Sequence, residues 1–163
     1  MDFKEQISLV EALHQKDKLI LNEITITPIK ECLNHQEQKK IKKKSREFKV
    51  KQCIDNACLV MDEINTPCCE GVAYIVPEIE GNIKDGVWIK HAWNRKEDKY
   101  FDVTEEYIYR NMDTKPKAIH YFLLQECSQD DYKVKVERGE ISGFVSNVEK
   151  IEVELKKINN EKV

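Results

Sequence analysis

QCIDNACLVMDEI, residues 52–64, is the stretch on which the fold turns. Ala57, Met61 and Ile64 recur at helical spacing beside Ile54 and Cys58, so the segment reads as a largely buried helix. It opens near Cys53 and ends where Asn65, Thr66 and Pro67 break the pattern. Three runs with strand character follow: GVAYIVPEI (71–79), GVWIKHAWN (86–94) and KYFDV (99–103). They are rich in β-branched and aromatic residues and are separated by Gly81-Asn82, Asp85-Gly86 and a charged turn at 95–98, which predicts an antiparallel meander. The fold class expected is α+β, with the helix that carries Cys53 packed on an antiparallel sheet that carries His91 and Asp102.

Towards the N-terminus, Asp2 and Glu5 form a candidate capping box for a first helix to about residue 15, with Phe3, Ile7, Val10 and His14 on one face. Ile24 and Ile26 alternate with Thr25 and Thr27 as a short strand. Thr27 and Pro28 suit the cap and first position of a second helix, whose apolar face is Ile29, Leu33 and Ile41. That helix ends in the basic run KKIKKKSREFKVK, residues 39–51, with eight Lys or Arg against one Glu. The run carries one aromatic residue, Phe48, and lacks the stacking residues of a single-strand reader, so a solvated helix end is expected.

Towards the C-terminus, Thr104 is the expected cap of a short helix through Glu105 and Glu106. AIHYFLL and YKVKV read as two further strands, and Val148, Ile151, Leu155 and Ile158 mark an amphipathic closing helix over about residues 145–159. The organisation expected is one domain over residues 1–163: a helical part at 1–49, a core at 50–105, and C-terminal strands and a helix at 106–163.

Charged residues make up 35% and hydrophobic ones 40%, with five Gly and four Pro, which is the composition of a well-structured globular chain. No apolar run is long enough to cross a bilayer, and the opening MDFKEQISLV lacks the basic and apolar stretches of a secretory signal, so a cytoplasmic location is expected. A net charge of -3 argues against a general affinity for nucleic acid. The six Cys (32, 53, 58, 68, 69 and 127) are irregularly spaced and read as thiols rather than a disulfide framework. A zinc site drawn from Cys53, Cys58, Cys68, Cys69 and His91 is disfavoured, because Cys68-Cys69 is not a chelating spacing and no Cys-x-x-Cys is present. No metal and no cofactor is expected, and Cys32, Cys58 and Cys127 read as core or surface residues rather than chemistry.

A thiol attacks a carbonyl as the thiolate, which a helix N-terminus and a neighbouring imidazole both favour. Cys53 at the start of its helix has the first, and its own backbone N–H points where an oxyanion forms. The meander supplies the second. A hairpin with its tip at Lys96 and Glu97 sets His91 opposite Asp102 on one face, where a carboxylate fixes the imidazole tautomer. Asn94 is the competing partner, but alternation sends it to the other face. Trp93, in phase with His91, is a candidate wall that keeps water from the imidazole.

The order QCIDNA, EGVAYI, HAWN, YFDVT resembles the transglutaminase-like branch of the papain-like cysteine fold over roughly residues 50–105. Ala57 stands where that family places a small residue after the nucleophile, and His91-Ala92-Trp93 and Asp102-x-Thr104 match its later motifs. The family's Gly before the Cys is replaced by Gln52, which becomes a candidate oxyanion donor. The resemblance implies a Cys-His-Asp hydrolase or acyltransferase acting on a peptide or protein through a Cys53 thioester. The alternative is a non-catalytic transglutaminase-like binding module acting through the basic strip.

Overall fold

The computed structural model describes residues 2–13, 21–83, 85–113, 115–138, 156 and 158–160. Asp2 and Glu5 exchange 2.8 Å side chain to backbone hydrogen bonds, the expected capping box of α1 (Phe3–Leu13). His14 and the side chain of Val10 lie outside the described residues. The strand expected around Ile24 and Ile26 is shifted: β1 spans Asn22–Ile24, and Ile26 makes an isolated parallel bridge to Tyr100.

The single second helix is in fact two, α2 (Ile29–Cys32) and α3 (His35–Lys44). Thr27 does not cap α2, whose N-cap position is Pro28. The break comes from Asn34 and Glu37, a second capping box: Asn34 Oδ1 accepts from the Glu37 N–H at 2.9 Å and Glu37 Oε1 from the Asn34 N–H at 3.1 Å. Ile29, Leu33 and Ile41 are nonetheless all buried. A 3₁₀ turn at Ser45–Glu47 leads on to α4 (Cys53–Ile64), which starts and ends as the sequence indicates. Its stop is Asn65 in the left-handed region, φ 53°, with its N–H donating to Met61 O at 2.9 Å.

The sheet follows: β2 (Cys68–Ile79), β3 (Asn82–Ile83), β4 (Val87–Lys96) and β5 (Lys99–Phe101), then α5 (Val103–Tyr107), β6 (Pro116–Cys127) and α6 (Gln129–Glu137). It is antiparallel in the order β1-β6-β2-β4-β5, with β3 paired to β2. α4 lies between two apolar clusters. Ile54, Ala57 and Met61 pack with Cys68 and Ala92, while Val60 packs with Ile41, Phe48, Phe101 and Val103. Ile54, Val60 and Met61 each contribute about 1.5–3 kcal/mol on burial, so docking onto the sheet is what makes this helix stable and fixes where its N-terminus ends up.

Three sequence expectations fail here for identifiable reasons. First, β4 and β5 pair Asn94 with Phe101 and Lys96 with Lys99, so the turn is Glu97-Asp98, two residues off the expected register. Glu97 supplies the positive φ, 55°, that a tight hairpin turn needs. Second, YKVKV is part of α6 rather than a strand, leaving β6 as the one strand of the C-terminal part among the described residues. Ser128 Oγ accepts from the Asp131 N–H at 3.2 Å and starts a helix that overrides the alternation. Third, the cap of α5 is Asp102, not Thr104. Of the closing helix, residues 139–155 and 157, with Val148, Ile151 and Leu155, lie outside the described residues. Residues 158–160 are helical, and Ile158 is buried against Leu21, Val72, Trp88 and Phe122.

Candidate active site

Cys53 is the first residue of α4 and is half-buried. The first bond within the helix runs from the Asn56 N–H to Gln52 O at 2.9 Å, so the N–H groups of Cys53, Ile54 and Asp55 have no acceptor in the helix. Asn56 holds this end in place. Its side chain accepts from the Lys49 N–H at 2.9 Å and donates to Lys49 O and to Thr104 Oγ1, both at 3.0 Å. The opening turn of α4 is thereby tied to the chain before it and to the start of α5.

At that same place Asp102 leaves the β5 ladder. Its Oδ1 accepts from the Thr104 N–H at 3.0 Å, and its Oδ2 meets His91 Nε2 at 2.6 Å. The pairing survives the shifted register because the slip is by two residues, which keeps His91 and Asp102 on one face; a slip by one would have parted them. Asp102 Oδ2 also accepts from the Tyr121 hydroxyl at 2.7 Å. His91 and Asp102 are both fully buried. Burial favours the neutral imidazole, but the Asp102 carboxylate and then Cys53 outweigh it and hold His91 well above its ordinary value. With Nε2 on Asp102, Nδ1 is the ring atom left for Cys53. It is buried and makes no hydrogen bond among the described residues, while the Cys53 thiol lies near enough to the ring to raise its value.

Aromatic rings enclose the histidine. Tyr109, from a 3₁₀ turn at Tyr109–Asn111, stacks on it at 5.9 Å between centroids, with Trp93 at 6.1 Å and Tyr121 at 5.8 Å. Trp93 is completely buried among Cys69, Tyr121 and Ile24, so it backs the imidazole from inside the sheet core. Asn94 faces the other way and donates to Ala57 O at 2.9 Å, helping to seat α4. Gln52 precedes Cys53 in the N-cap position, exposed, with its side chain making no cap bond. It lines a groove of about 630 Å³ beside α4, together with Lys49, Asp55 and Cys58.

Tyr121, Tyr109 and Asn56 complete the arrangement without a sequence signature of their own. Asn56 left the clearest trace, a polar residue beside Ala57 on the buried side of an amphipathic helix. All six cysteines are unbridged thiols. Burial pushes Cys32 and Cys69 up, whereas Cys58, packed against Ile54, Ala57 and Met61, is pulled down by Cys68 and Tyr132. Among the described residues no group of three or more His, Cys, Asp or Glu is arranged to hold a metal ion, and no helix is long and apolar enough to cross a membrane. Compared with known proteins, the chain matches no family model, no curated protein and no solved structure.

Proposed function

We propose that this chain is a thiol-dependent acyl-transfer enzyme of the transglutaminase-like kind, which cleaves a peptide or isopeptide amide through a thioester on Cys53. The observation that carries the proposal is the convergence of three elements on one point: the N-terminus of α4 with Cys53, β4 with His91, and the end of β5 with Asp102. His91 Nδ1 takes the thiol proton, and Asp102 holds the resulting imidazolium. The sulfur attacks the carbonyl carbon, and the oxyanion is met by the Cys53 N–H, with Gln52 as the candidate second donor. Collapse of the intermediate expels the amine, which His91 protonates. Water, deprotonated by the same imidazole, then releases the acid; an amine in place of water gives transamidation.

The test is alkylation of the full chain by iodoacetamide at pH 6, with each cysteine mapped by mass spectrometry. Cys53 is expected to react well ahead of Cys32, and His91→Ala to remove that lead. Cys58, five residues further along the same helix, is the internal control and keeps its rate in His91→Ala. A Cys53 rate equal to that of Cys32, or one that His91→Ala leaves unchanged, rejects the enzyme in favour of the binding module.

A further inference from the structure

Five residues beyond Cys53, the same helix carries a second thiol with different company. Cys58 is half-buried and opens into the groove beside α4, where Lys49, Asp55 and Leu59 also line the wall. Behind it stands Cys68, the first residue of β2, fully buried in the cluster against which Cys58 packs. Tyr132, from α6, packs against the same cluster. All three side chains belong to the apolar cluster formed with Ile54, Ala57, Met61 and Ala92. One thiol therefore faces a route from solvent, and its neighbour is shut in the core, where Cys127 of β6 is its partner across the sheet. None of the steps assigned to Cys53, His91 and Asp102 uses either.

We propose that Cys58 and Cys68 form a redox-active pair, which a hydroperoxide entering the groove converts into an intramolecular disulfide. Cys58 attacks as the thiolate, which its neighbours Cys68 and Tyr132 favour against burial and against Asp55 and Asp62 on the same helix. Its sulfur forms a bond to the outer peroxide oxygen. The O–O bond breaks, and the departing alkoxide or hydroxide takes up a proton as alcohol or water. Cys58 is now a sulfenic acid, oxidised by two electrons, and the peroxide is reduced by two. The Cys68 sulfur next attacks the Cys58 sulfur. The S–S bond forms, the S–O bond breaks, and hydroxide leaves with the Cys68 proton as water. In sum, two thiols and one hydroperoxide give a disulfide, an alcohol or water, and one further water. Cys58 packs against the cluster that holds Cys68, so the bridge, with its bond of about 2 Å, forms by an approach of α4 to the start of β2.

The experiment treats the folded full chain with hydrogen peroxide and maps its peptides by mass spectrometry without reduction. Wild type is expected to lose two hydrogens and two of its six thiols, with a Cys58–Cys68 linked peptide. Cys68→Ser is expected to stop at a Cys58 sulfenic acid trapped by dimedone, and Cys58→Ser to leave Cys68 reduced. Cys53→Ala is expected to form the bridge as wild type does, so this inference and the acyl-transfer proposal stand or fall separately. Oxidation of wild type at other cysteines while Cys58 and Cys68 remain thiols overturns the inference, and that reading needs no variant to fold.

Discussion

His91 is where the energetics of the site concentrate, because burial alone would discharge it and a buried charge survives only with a partner. Asp102 is that partner, and it is satisfied in turn by the Thr104 N–H and the Tyr121 hydroxyl. The sign of the linkage follows. A histidine whose folded value is raised above its unfolded value of about 6.5 adds stability that is complete below that pH and is lost as pH rises through the folded value. Wild type is therefore expected to lose stability as the pH climbs from about 6.5 into the alkaline range. Asp102→Asn removes the charge while keeping the size, and is expected to be less stable near neutrality and to lose that slope. Denaturant midpoints measured across this range decide it; parallel profiles for the two proteins would show that Asp102 does not hold the imidazolium. The choice of Asp102 over Asn94 was legible, since a strand's period of two is rigid. Tyr121 was not, because it arrives on β6, and nothing in the residues states that β6 lies on the far side of β2 from β4.

At the scale of elements, the parts with strong periodicity were legible and the parts decided by caps and turns were not. α4 and β4 fall where the sequence puts them, yet the β4–β5 turn moved by one residue and the register by two, since a run of four charged residues says little about which of them takes positive φ. Asn34 and Ser128 each redirected a segment with one side chain, dividing one helix and turning an alternating run into another. Gly71 shows how closely the strands around the site are fitted. It pairs with His91, and a Cβ there would lie 2.0 Å from the Phe122 carbonyl oxygen and 2.9 Å from Trp93 Cη2. The first of these is backbone and yields only if β6 moves. Gly71→Ala is accordingly expected to cost about 1–3 kcal/mol or more in chemical denaturation, and to slow Cys53 alkylation by shifting Trp93 and Tyr121 against the imidazole. An unchanged midpoint would mean that β6 is not held against β2 as tightly as this contact requires.

Over the whole molecule, the two ends of the described chain close on one residue of the strand that bears the candidate base. The Trp88 indole N–H donates to Gln6 Oε1 of α1 at 2.9 Å, which brings in the N-terminal helix. From the other end, the Asn159 side chain accepts from the Trp88 backbone N–H and donates to the Trp88 carbonyl, each at 2.8 Å. β5 pairs with β4 only from Asn94 to Lys96, so at Trp88 this amide takes the place of a neighbouring strand. Asn159→Ala leaves both backbone groups without that partner, and the cost expected is about 1–3 kcal/mol. Its neighbour Asn160 is exposed, and Asn160→Ala is the control, expected to stay within about 0.5 kcal/mol of wild type. The site is held by a different set of bonds: Asn56 to Lys49 and Thr104, Asn94 to Ala57, and Asp102 to Tyr121. Well below the melting temperature, Asn159→Ala should therefore alkylate Cys53 at the wild-type rate, even though its thermal transition comes earlier. A lowered transition with an unchanged rate would show that the chain ends stabilise β4 without positioning His91. A rate that falls with the transition would show that the end of β4 at Trp88 and the end at His91 move as one.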